Sequence, residues 1–115
     1  MTHRTHHEAL RERVEEFNAT FIKAANARIK AYEARFKAEE VVTESDVVFN
    51  RVIIAENKTK EEQAQAIKDQ VSAYRAYHMS CEACNAASTH CSEAYRNLLE
   101  IKSKAGYMHL NGREI

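Results

Sequence analysis

This 115-residue sequence predicts an all-α fold: two long helices doubled back as an elongated antiparallel hairpin, with a short helix between them. Three observations carry that expectation. Two glycines and no proline leave almost nothing to punctuate the backbone before Gly106. Ala, Glu, Lys, Arg and Gln, all strong helix formers, dominate the composition. Apolar residues recur at steps of three and four, the spacing that lines one face of a helix.

The length sets a single helical domain over residues 1–115. Its core is thin. Leu, Ile, Val and Phe number 4, 7, 7 and 4, against 18 alanines. An ordered chain so built is expected to finish its core by oligomerisation. Disorder would need a large net charge, and here 17 basic residues balance 17 acidic ones. The same balance gives no electrostatic reason to expect nucleic acid or a membrane surface as partner. No apolar run is long enough to span a bilayer. The N-terminal stretch with His3, His6 and His7 is polar, unlike a signal peptide, and reads as a solvated end. Three cysteines, an odd number, then read as reduced thiols in a cytoplasmic protein.

In order along the chain, the first helix is expected from about Thr5 to about Glu40, with Leu10, Val14, Phe17, Phe21, Ala25, Ile29, Tyr32 and Phe36 on one stripe. Thr43-Glu44-Ser45-Asp46 carries the residue types that end one helix and cap the next. The short helix would follow at Val47-Val48-Phe49-Asn50-Arg51-Val52-Ile53-Ile54, apolar on nearly all sides and so in need of cover on more than one. Thr59-Lys60-Glu61-Glu62 fits a capping box that opens the second long helix. Its stripe reads Ile67, Val71, Tyr74, Tyr77 or His78, Cys81, Cys84, Ser88, Cys91, Tyr95, Leu98, and Ile101 or Lys102. Ser, Asn and Thr near Ala87-Ser88-Thr89 compete for backbone bonds and permit a kink there. Gly106 offers a left-handed stop, and Asn111-Gly112 a turn in the tail.

The local chemistry is confined to His78-Met79-Ser80-Cys81-Glu82-Ala83-Cys84 and the following His90-Cys91. His78, Cys81, Cys84 and Cys91, with His90 as a spare, are ligand types for zinc or copper(I). On one straight helix, neighbouring pairs of the first three can share an ion, but Cys91 stands about 10 Å further along the axis than Cys84. Tetrahedral zinc would therefore need a second helix or subunit. Two-coordinate copper(I) suits the geometry better. Over this stretch alone the chain is similar to cysteine-rich helical copper-storage bundles, which carry many more such cysteines. Against a metal site stands simple packing: Cys behaves as a small buried hydrophobe, and all three thiols fall on or beside the apolar stripe. A redox C-x-x-C is expected at a helix N-terminus, and this one is mid-helix.

The chain has no Gly-rich phosphate loop, no His-Glu-x-x-His and no nucleophile elbow, and no His follows a Glu by three residues as a di-iron bundle requires. An enzyme is not expected. Lys23, Arg28, Lys30, Arg35 and Lys37 could meet phosphates, but Glu33 interrupts them and they read better as a solvated face. The expectation is a non-enzymatic helical interaction protein without a cofactor, binding a protein partner or itself in the manner of a coiled coil. Phe17, Phe21, Ile29, Tyr32, Phe36, Val48, Phe49, Val52, Ile53, Tyr74, Tyr77 and Tyr95 are its candidate contact residues. A metal-binding bundle using the His78/Cys81/Cys84/Cys91 cluster is the alternative.

Overall fold

A computed structural model describes residues 5–55 and 57–110, the last four by backbone alone. The chain is all-α, and the described residues form no strand. Helix α1 spans His6–Ile54 and helix α2 spans Lys60–Leu110. They run antiparallel, joined through residues 55–59.

Both helices start where their sequences supply a cap. The Glu8 amide donates to Thr5 Oγ1 at 3.1 Å while the Thr5 amide donates to the Glu8 carboxylate at 3.4 Å, a reciprocal capping box. At α2 the Glu62 amide donates to Thr59 Oγ1 at 3.1 Å, and Lys58 pairs with Glu62 at 3.4 Å. Each cap satisfies an amide that the first helical turn leaves without a partner.

The expected break at Thr43–Asp46 does not occur, and no separate short helix follows it. α1 continues through Val47 to Ile54. The reason lies in where the hydroxyls turn. Thr43 Oγ1 donates back to the Glu39 carbonyl at 3.1 Å and Ser45 Oγ to the Val42 carbonyl at 2.8 Å. Bonded within their own helix, neither is left to cap a new one. Asp46 is taken up by α2 instead, accepting from Gln70 Nε2 at 2.8 Å and Tyr74 Oη at 2.9 Å. α2 likewise runs unbroken through Ala87-Ser88-Thr89, and past Gly106 to Leu110. Gly106 is an ordinary helical position where an added Cβ would meet nothing within 4 Å. The Asn111-Gly112 turn signal lies outside the described residues.

The helices pair in two compact units. In the unit of Met1–Arg28 and Ala87–Ile115, Leu10, Leu98 and Ile101 form a buried cluster against Val14, Phe17 and Phe21. A second cluster joins Ala24, Cys91 and Ala94, and the Phe21 and Tyr95 rings meet at 5.3 Å between centroids. In the unit Ile29–Ala86 the buried side chains among the described residues are small: Ala66, Ala73 and Cys84.

The inward positions follow a strict alternation of three and four. On α2 they are residues 63, 66, 70, 73, 77, 80, 84, 87, 91, 94, 98, 101 and 105, all buried or half-buried. On α1 the same rhythm selects 10, 14, 17, 21 and 24, then 31, 35, 38, 42, 45, 49 and 52. This departs from the expected stripes. On α1 the inward face beyond Phe21 is Ala24, Ala31, Arg35 and Ala38, while Ile29 and Phe36 stand 56% and 62% exposed. On α2, Ile67, Val71, Tyr74 and Tyr95 are nearly half exposed, and alanines hold the seam. Small side chains let two helix backbones approach closely, which larger ones at those positions would prevent.

Candidate interaction surface

Two sets of residues compete for the role of a site. The first is the thiol cluster. Cys84 is buried in the unit Ile29–Ala86, and its Sγ donates to the Ala31 carbonyl of α1 at 3.1 Å. Cys81 is half-buried beside Tyr77, whose phenol is held above its ordinary 10.0 mainly by hydrogen bonding to Cys81. His78 points into solvent and meets Glu82 one turn on at 3.5 Å. Cys91 is buried in the other unit with Ala24 and Ala94. All three cysteines are free thiols. Among the described residues no three His, Cys, Asp or Glu side chains come together in a way that could hold a metal ion. Cys84 and Cys91 occupy the inward rhythm as small hydrophobes do. His90 instead lines a shallow groove with Thr20, Lys23, Ala24 and Ala27.

The second set is apolar and exposed. Among the described residues fourteen large hydrophobic side chains lie open to solvent, eleven of them in the unit Ile29–Ala86. Ile29 and Phe36 stand seven residues apart on α1 and so share a face, one step round from the seam. Ile67, Val71 and Tyr74, at steps of four and three, form the matching face of α2. The Tyr74–Asp46 bond, made between the helices, sets these two faces on the same side of the pair. The carboxylate also raises the Tyr74 phenol above 10.0, because ionising it would break the bond and set two negative charges together.

Phe36 borders a groove of about 470 Å³ lined by Glu39, Glu40, Thr43 and Glu44. Arg35, an inward position of the same helix, lays its guanidinium over the Tyr32 ring at 5.0 Å. Its buried Nε has no hydrogen-bond partner. At the end of α1, Val47, Val48, Ile53 and Ile54 are exposed, the last at 78%, while Phe49 and Val52 are half-buried. The apolar stretch is thus only partly covered.

Of the candidate contact residues, Ile29, Phe36, Val48, Ile53, Tyr74 and Tyr95 are exposed. Phe17, Phe21, Tyr32, Phe49, Val52 and Tyr77 are half-buried between the helices. Ile67 and Val71 belong to the exposed face although sequence reasoning assigned them to the inner stripe. No helix among the described residues is long and apolar enough to cross a membrane. Comparison of the chain with protein-family models, curated proteins and solved structures gives no match.

Proposed function

We propose that the chain is a non-enzymatic helical protein–protein interaction module: an assembly subunit, a scaffold or adaptor, or an inhibitor that covers a partner's surface. One observation carries this. Among the described residues, of the ten buried apolar ones only Leu10, Leu98 and Ile101 are large, whereas fourteen large hydrophobics are exposed. Scattered apolar residues on a surface are ordinary, but aligned stripes of them on adjoining helices mark a face made to be covered. Most of these side chains are already about half out of water, so each exposed Ile, Phe or Val would contribute about 1 kcal/mol if a partner buried the rest. Phe36 and Tyr74 are of the types that anchor interfaces.

The test is site-specific photo-crosslinking in the protein's own cells, with a photoreactive phenylalanine analogue at position 36 and the same group at Lys37 as control. A discrete cross-linked species from position 36, absent from position 37 and lost in Ile29→Lys/Val71→Lys, is expected. Uncross-linked chain alone from both positions would overturn the proposal.

A further inference from the structure

We infer that Cys81 and Cys84 form a two-thiolate site for a single copper(I) ion, with the Arg35 guanidinium as its counter-charge. The inference is independent of the interaction role proposed above. Both thiols are free and stand three residues apart on α2, one turn along the helix. Side chains so spaced carry Cβ atoms about 5–6 Å apart. A disulfide needs about 3.5–4.5 Å and would pull on the helix, whereas an ion between the sulfurs spans the wider gap with the backbone in place. Among the described residues no third ligand joins the pair. His78 is exposed and turned to Glu82 at 3.5 Å, and Cys91 belongs to the other unit. Zinc, which closes a structural site with four ligands, is not satisfied by two thiolates. Copper(I) is soft, selects thiolate sulfur and is content with two donors.

The surroundings fit the charge. Two thiolates around one copper(I) carry a net single negative charge, and burying it calls for a cation close by. The register fixed by Cys84 Sγ on the Ala31 carbonyl at 3.1 Å and by Gln70 on Asp46 at 2.8 Å brings Arg35 level with Cys81. Arg35 holds an inward position, and its buried Nε has no hydrogen-bond partner. A buried donor left over in this way asks for an explanation, and an anionic site beside it supplies one. Tyr77, one turn before Cys81, sets its hydroxyl against the Cys81 thiol, and the charges of Arg35 and Glu39 both bear on that hydroxyl. Glu39 is exposed, so solvent screens it more than the inward guanidinium. Cys81 is half-buried, which gives an ion a way in, while Cys84 is 2% exposed, which keeps water off the bond. On binding, both thiol protons pass to solvent and Cys84 exchanges its bond to Ala31 for the metal.

Anaerobic titration of the purified, reduced full chain with copper(I) against bicinchoninate, a coloured copper(I) chelator, tests this. One copper per chain is expected to leave the chelator. Cys81→Ser and Cys84→Ser should each abolish the transfer with helical circular dichroism retained, the serine at position 84 keeping a donor for Ala31. Cys91→Ser and His78→Ala should still take one equivalent. Arg35→Met should weaken binding about ten- to hundredfold, and Arg35→Lys should recover most of the loss. Copper left on the chelator by the parent chain, one copper shared by two chains, uptake that survives Cys81→Ser, or Arg35→Met indistinguishable from the parent would overturn the inference.

Discussion

The two units solve the same problem, closing two helices on each other, with opposite materials. The unit of Met1–Arg28 and Ala87–Ile115 uses Leu10, Leu98 and Ile101, backed by Phe17 and Phe21. The unit Ile29–Ala86 uses alanines, Cys84 and a carboxylate shared by Gln70 and Tyr74. The first hides its large side chains and the second displays them, with eleven of the fourteen exposed large hydrophobics among the described residues. Burying an alanine methyl removes little surface from water, so a small-residue seam gains close approach but little hydrophobic free energy. The difference teaches that helix pairing and hydrophobic anchoring can be assigned to separate faces of the same two helices.

The largest expected effect lies in the aliphatic unit. Leu98→Ala, at a residue 3% exposed, should cost about 2–5 kcal/mol in urea denaturation. A loss well under 1 kcal/mol would erase the distinction between the units. In the other unit the damaging change is enlargement. Ala73→Leu, at a residue 5% exposed, should cost about 1–3 kcal/mol by overpacking the seam. Stabilisation by that leucine would mean the seam has room to spare. Smaller is Thr59→Ala, which removes the cap of α2 and should lower stability by about 1 kcal/mol in the same assay.

The smallest effect is spectroscopic. Tyr74 is held protonated by Asp46, so its folded pKa exceeds the 10.0 of the unfolded chain. The bond therefore contributes fully below pH 10.0 and is lost as pH rises through the folded pKa. Absorbance titration of phenolate should show one tyrosine ionising earlier in Asp46→Asn than in the parent protein. An unchanged curve would remove the carboxylate as the cause.

The helical class, the antiparallel pairing and the starts of both helices near Thr5 and Thr59 were legible, because caps and propensity act locally. The inward face of the unit Ile29–Ala86 was not. Hydrophobicity points to Ile29 and Phe36, but packing selects Ala31, Arg35 and Ala38, whose short or flexible side chains let α2 approach. The end of α1 was misplaced for a related reason: Thr43 and Ser45 are cap formers by type, yet back-bonders once flanked by helix on both sides. The three cysteines looked alike in sequence. Their surroundings separate them, Cys84 tied to a carbonyl of α1, Cys91 among alanines and Cys81 beside a tyrosine.

The short connection at residues 55–59 also governs the order in which the chain folds. The Asp46 contacts to Gln70 and Tyr74 close loops of 24 and 28 residues, while Cys84 reaches Ala31 across 53, and Leu10 and Ile101 are more distant still. Each doubling of loop length adds about 0.6 kcal/mol of closure entropy, so contacts nearest the turn form first and later ones follow like a zip. Mutations at Asp46 should then slow folding, and mutations at Leu98 should mainly speed unfolding. The part of the chain with the poorest core is thereby the part that folds earliest.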